Sequence, residues 1–233
     1  MPKLSLVRSS SLGDSLVRHL STSLLLLLSG NFDSGAMPVN ASQSDRDKCH
    51  GEFQLTYRDC SIDISAHSIK DLPHNSICNG NFSFNVDCVQ DYTRNIGKQA
   101  MDKVDETLGH NNSYLIVGVG LHYLLDSDSV IAQMRKLIEY IERKGNGWPN
   151  IIWVELHSLN GFLRMETKFH NDRIKKFNDK VNEFLGRRNV NVIKTFDISR
   201  DLKSYDGQHY GIGFNLHKLN MVLSFLQRKL QES

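Results

Sequence analysis

Gly13-Asp14-Ser15 lies near the start of the chain, and Asp206-Gly207-Gln208-His209 lies near its end. A serine hydroxyl is nearly inert until a base takes its proton, and an imidazole serves as that base best when a carboxylate holds its orientation. Ser15, His209 and Asp206 supply those three groups, in the order nucleophile, general base and orienting acid. The three-residue spacing from Asp206 to His209 lets one loop present both side chains. The chemistry such a set performs is acyl transfer through an acyl-serine. Asp14 reads as a helix cap or dipole partner, with no chemistry of its own. Ser15 also has a plainer explanation, since serine is a common helix N-cap.

The elements that would position these groups follow an alternating pattern. Tyr114 to Val119 and Ile151 to Val154 are short apolar runs that read as buried strands, and Val190 to Ile193 reads as a third. Between them, Ile131, Met134, Leu137, Ile138 and Ile141 recur at helical spacing, as do Ile174, Phe177, Val181, Phe184 and Leu185, the latter helix stopped by Gly186. A last helix is expected from about Asn215 to Leu230. Leu4 to Leu12 would be the first strand and Phe53 to Tyr57 the second. Alternating strands and helices predict a parallel sheet covered on both faces. In such a sheet, ligands bind beyond the carboxyl ends of the strands. Ser15 falls at the end of the first strand, where a helix N-terminus supplies a backbone N–H to an oxyanion. Gly120-Leu121-His122 falls at the end of the central strand, and Asp206 and His209 fall before the last helix. Arg18, one turn after Ser15, is read as pairing with a carboxylate or binding a substrate anion, and His157 with Ser158 as lining the cleft.

The N-terminus has two readings. Lys3, Arg8 and Arg18 followed by the leucine run Leu24 to Leu28 resemble a signal peptide, whose removal would take Ser15 with it. Ser21, Thr22 and Ser23 interrupt that apolar stretch, and Leu16, Leu20, Leu24 and Leu27 or Leu28 form a stripe at helical period. The second reading, a first helix of the domain, is preferred. No segment reaches the roughly 18 apolar residues of a membrane span.

At 233 residues, with 39% hydrophobic and 23% charged residues, the chain fits one globular domain over 1–233. A net charge of +2 gives no basic field for nucleic acid. No histidine shows metal-ligand spacing and no nucleotide-binding glycine pattern follows Gly118-Val119-Gly120, so no metal or cofactor is expected. Cys49, Cys60, Cys78 and Cys88 cluster in the least regular part, about 31–112, which is expected to be a loop-rich insertion stapled by two disulfides with three pairings open. Glycosylation sequons begin at Asn40, Asn81 and Asn111. Cysteines and sequons together favour the secretory lumen (Golgi) or the extracellular side, with the targeting segment or anchor missing from this chain.

Gly13-Asp14-Ser15-Leu16-Val17-Arg18 resembles the Gly-Asp-Ser-Leu-x-Arg block of the PC-esterase branch of the SGNH/GDSL hydrolase superfamily. Asp206-Gly207-Gln208-His209-Tyr210, with Asn215 and Lys218 beyond it, is similar to that branch's Asp-x-x-His block and following helix. Cys49 through Phe53 to Cys60 is similar to its cysteine-flanked segment. The resemblance implies a flavodoxin-like three-layer α/β/α fold. It also implies an esterase or glycan O-acetyltransferase with Ser15, His209 and Asp206 as triad and a carbohydrate substrate. SGNH enzymes broadly carry Gly-x-Asn-Asp after the third strand; this chain has Gly120-Leu121-His122-Tyr123, and His122 takes the oxyanion-donor role under the resemblance. The superfamily's separate oxyanion glycine has no match in the motifs, and Gly51 and Gly30 are the candidates left open. The alternative function is a catalytically silent glycan-binding domain on the same fold, and a third is a secreted structural protein behind a true signal peptide.

Overall fold

The computed structural model describes residues 8–37, 41–56, 85–90, 94–108, 110–145, 147–160, 169–204 and 206–232, with backbone alone for Arg8 and for 85–90. Five parallel strands, β1 (Arg8–Gly13), β2 (Asn85–Gln90), β3 (Ser113–Gly118), β4 (Asn150–Val154) and β5 (Asn191–Ile193), form one sheet in the order β2-β1-β3-β4-β5. This is the flavodoxin-like order, and its direction reverses between β1 and β3. Residues 4–7 of the expected first strand lie outside the described residues.

Strand side chains alternate between two apolar layers. Leu12, Leu115, Val117, Ile151 and Trp153 face α4 (Ile96–Glu106), α5 (Ser127–Lys144) and α6 (Asn171–Gly186). Tyr114, Ile116, Ile152, Val154 and Ile193 face α1 (Ser15–Ser29) and α8 (Ile212–Glu232). The parallel sheet is therefore covered on both faces, as expected from the alternation.

The leucine run lies inside α1. Leu16, Leu20 and Leu24 are buried, and Leu20 and Leu24 pack with Leu219, Val222 and Leu226 of α8. Burying each such side chain contributes roughly 1.5–3 kcal/mol. The stripe ends through Leu28, which packs against that cluster, whereas Leu27 is 44% exposed. Gly30, left-handed at φ 64°, closes the helix with its N–H on the Leu27 carbonyl.

Three element expectations are corrected. Phe53–Thr56 is not a strand but a short helix, α3, and the second strand is β2. The reason lies in Gln54, whose side chain binds Ala36 N–H and the Phe32, Asp33 and Gly51 carbonyls, folding the segment into a knot of local turns. The stretch 31–112 is accordingly not one loop-rich insertion: β2 and α4 inside it belong to the sheet and its cover, and among its described residues α2 (Gln43–Lys48) and α3 lie outside them. Gly186 does not stop α6 either; it is the last helical residue, and Asn189 at φ 56° takes the left-handed turn. Asparagine enters that conformation with little cost.

Cys49 is buried, packs with Met37, and is disulfide-bonded. Cys60 and Cys78 lie outside the described residues and Cys88 is described by its backbone in β2, so the pairing is not assigned. Asn111 is exposed in the turn before β3, whereas Asn40 and Asn81 lie outside the described residues. Among the described residues no helix is long and apolar enough to cross a membrane.

Candidate active site

Ser15 is placed by a close strand contact and a cap. A Cβ on Gly13 would sit 2.2 Å from the Gly118 carbonyl, so glycine there lets the ends of β1 and β3 meet just before the serine. Asp14 is the N-cap of α1, its Oδ1 accepting the Leu16 N–H at 3.0 Å. Ser15 is therefore the first helical residue and not the cap, which removes the plain explanation for a serine there. Its hydroxyl is free for another partner, and its backbone N–H is one of the unpaired donors of a helix N-terminus.

That partner is His209. Its Nε2 lies 2.9 Å from Ser15 Oγ across 194 positions of sequence, and its Nδ1 lies 2.5 Å from Asp206 Oδ2. The other oxygen of Asp206 accepts the backbone N–H groups of Gln208 at 2.9 Å and His209 at 2.7 Å, in a turn that Gly207 permits at φ 89°. Partial burial pushes the Asp206 carboxyl up, but the His209 ring and those two N–H groups outweigh it and hold the group well below the usual carboxylate range. With a carboxylate on Nδ1, the ring donates there and keeps Nε2 as acceptor for the serine proton.

The loop carrying this pair is anchored from below. Buried His157, at the end of β4, donates from Nε2 to the Gln208 carbonyl at 2.7 Å and packs edge-on to Tyr210 and Phe214. Tyr210 donates to the Ser158 carbonyl at 3.0 Å, and the buried Ser158 hydroxyl bonds Ser199 of α7 (Phe196–Ser199) at 3.0 Å. His157 and Ser158 thus support the loop and do not line the cleft. Glu52 holds the next residues, accepting the Ile212 N–H at 2.6 Å at the start of α8.

Sequence reasoning missed His19. It lies one turn after Ser15 on α1, is 1% exposed, and packs against the His209 ring, tilted at 49° with the ring centres 4.9 Å apart. Its Nε2 faces Arg18 Nη2 at 3.0 Å, and since a guanidinium only donates, His19 accepts there as a neutral ring. Burial drives its pKa far below the ordinary histidine value, with the nearby charges of His209 and Arg18 adding to the effect. Arg18 thus turns to His19 and not to a carboxylate. The i, i+4 spacing from Ser15 was the available signal.

The oxyanion-side residues are distributed unevenly. His122 is exposed on the turn after β3, its carbonyl receiving Arg94 Nε–H at 2.7 Å. Gly120 is buried by packing: a Cβ would meet Leu156 Cδ1 at 2.4 Å and Phe177 Cε1 at 2.9 Å. Neither proposed oxyanion glycine fits. Gly30 closes the far end of α1, and the Gly51 N–H is committed to the Asp33 carbonyl at 2.7 Å. Among the described residues no group of three or more histidine, cysteine or acidic side chains is arranged to hold a metal.

No protein-family model matches the sequence, and no curated protein matches it. Solved structures do match in fold. A member of the lipolytic protein G-D-S-L family from Veillonella parvula aligns with a TM-score of 0.53 at 13% identity, covering 95% of this chain and 99% of its own. A carbohydrate acetylesterase from Sinorhizobium meliloti aligns at 0.50 and 11% identity, over 96% and 99%. A variant of an acetyl-xylooligosaccharide esterase from Geobacillus stearothermophilus aligns at 0.53 and 10% identity, over 97% and 96%. The chain therefore has the SGNH/GDSL hydrolase fold, over nearly its whole length.

Proposed function

We propose that this protein is a serine-dependent esterase or acyltransferase acting on O-acyl, chiefly O-acetyl, groups of carbohydrates. The observation that carries the reading is the hydrogen-bonded chain from Ser15 Oγ through His209 to Asp206. The carbohydrate acetylesterases among its structural neighbours support the substrate class. His209 Nε2 takes the Ser15 proton as Oγ attacks the ester carbonyl, and Asp206 stabilises the imidazolium that forms. The Ser15 N–H, with His122 across the turn, receives the oxyanion. Collapse expels the alcohol, which leaves with the proton from His209, and an acyl-Ser15 remains. Water or a sugar hydroxyl then gives its proton to His209 and takes the acyl group, so the same residues serve hydrolysis and transfer. The clustered cysteines and the exposed Asn111 sequon support a location in the secretory lumen or outside the cell.

The test is labelling of the folded protein by a fluorophosphonate, which captures activated serines without knowledge of the substrate. Wild type is expected to label, and Ser15→Ala and His209→Ala to lose labelling by about 10³-fold or more. A folded, disulfide-bonded protein that does not label would leave a silent glycan-binding domain.

A further inference from the structure

Beneath the nucleophile lie two buried titratable groups that the triad does not use. Asp14 is 0% exposed, and its Oδ2 has no hydrogen-bond partner. Lys218, 1% exposed on α8, reaches the first turn of α1 and donates from Nζ to the Leu16 carbonyl at 3.4 Å. Its ammonium also lies 5.4 Å from the centre of the Phe214 ring. A lysine is almost never fully buried without a partner, and an isolated ammonium is costly to desolvate. The position therefore calls for a reason. The other charged or titratable groups around this pocket are Arg18 and His19 from α1, His122 from the turn after β3, His157 from the end of β4 and His209 from the triad loop.

We propose that Lys218 is a positioning residue of the acyl-transfer site. From α8 it bolts the first turn of α1, supplies the counter-charge to Asp14, and so keeps a second carboxylate facing His209 from below. The proposal rests on the serine-hydrolase reading and deepens it. α8 begins directly after the triad loop, and α1 begins with the nucleophile, so the Lys218–Leu16 bond joins the two segments whose relative position sets the Ser15–His209 distance. A displacement of about 1 Å in such a constellation costs on the order of 10²-fold in rate. The field of Asp14 and that of His209 act on each other, so an ionised Asp14 favours the imidazolium that forms as Ser15 attacks. Burial pushes Asp14 up and Lys218 down to about 7, while each favours the charged form of the other. Burial outweighs that mutual support, so Lys218 gives up its proton near neutrality.

The experiment measures the rate of Ser15 labelling by a fluorophosphonate against pH for wild type, Lys218→Met and Asp14→Asn, with Ser15→Ala as blank. Methionine keeps the length of the side chain without donor or charge, and asparagine keeps the cap acceptor. Folded Lys218→Met is expected to label roughly 10- to 100-fold more slowly. Wild type should lose rate above about pH 7 as Lys218 deprotonates, a limb that Lys218→Met lacks. In Asp14→Asn that limb should move to lower pH, because the carboxylate that holds the ammonium charged is gone. A folded Lys218→Met with the wild-type rate and the wild-type limb overturns the proposal alone. Should Lys218→Met fail to fold, an unmoved limb in Asp14→Asn does the same. Absence of Ser15-dependent labelling in wild type overturns the acyl-transfer reading itself, and this proposal with it.

Discussion

Ser15 is exposed to chemistry because Asp14 has taken over the capping of α1, leaving the serine hydroxyl to His209. The division of labour between the two carboxylates follows from surroundings. Asp206 meets the His209 ring and two backbone N–H groups and stays ionised throughout the neutral range, whereas Asp14 sits in the interior with one backbone N–H, that of Leu16, and is pushed up by burial. Asp206→Asn should therefore leave the fold intact and lower Ser15 labelling by about 10³- to 10⁴-fold, since an amide facing Nδ1 favours the wrong tautomer. Near wild-type labelling by a folded Asp206→Asn protein would remove Asp206 from the mechanism. Ser15, Asp206 and His209 stood out in the sequence because a Gly-Asp-Ser and an Asp-x-x-His fall at opposite ends of an alternating strand and helix pattern, where a parallel sheet brings strand ends together. His19 did not, and Lys218 stood out only as part of the helix after the Asp-x-x-His block, with no role of its own. Each is a polar residue off the apolar stripe of its helix, and only the packing shows that it is buried beneath the nucleophile.

The elements deliver these side chains through close contacts at strand ends. Gly13 and Gly118 are register partners, and a Cβ on either would strike backbone oxygen or Val17. Gly13→Ala would place a methyl carbon 2.2 Å from the Gly118 carbonyl and 2.7 Å from Val17 Cγ2. Neither β1 nor β3 can yield without breaking the sheet, so the expected loss of stability is about 3 kcal/mol or more. A shift in the urea midpoint measures it, and a midpoint unchanged from wild type would mean that the strand ends do not meet this closely. The same scale shows what sequence could not give. β3 and β4 announce themselves as apolar runs because both of their faces are covered. β2, at the sheet edge, reads Asn-Val-Asp-Cys-Val-Gln and carries no such run. The segment Phe53–Tyr57 is richer in strand-forming types, yet the four hydrogen bonds of the Gln54 side chain decide its local fold. Tertiary contact overrides propensity in both places.

Across the whole molecule, the two chain ends that carry nucleophile and base are held side by side as α1 and α8 on one face of the sheet, and the buried titratable groups gather where they meet. Concentrating such groups there has a consequence for stability. His19 and His157 are both buried and neutral, and burial, reinforced by neighbouring positive charge, holds each well below 6.5. Unfolding releases them to their ordinary value, so below pH 6.5 the unfolded chain binds protons that the native protein refuses. Their contribution to stability is thus fully present above that value and is lost as pH falls toward the folded-state values. The urea midpoint is expected to drop steadily from about pH 7.5 to about pH 5.5. His19→Phe and His157→Gln should each flatten that slope, the glutamine retaining a donor for the Gln208 carbonyl. Asp14, raised by burial, acts in the opposite sense, and comparing the variants with wild type at each pH cancels its part. A midpoint independent of pH in wild type and variants alike would show that these two rings protonate inside the native fold, and the neutral His19 beneath His209 would have to be abandoned.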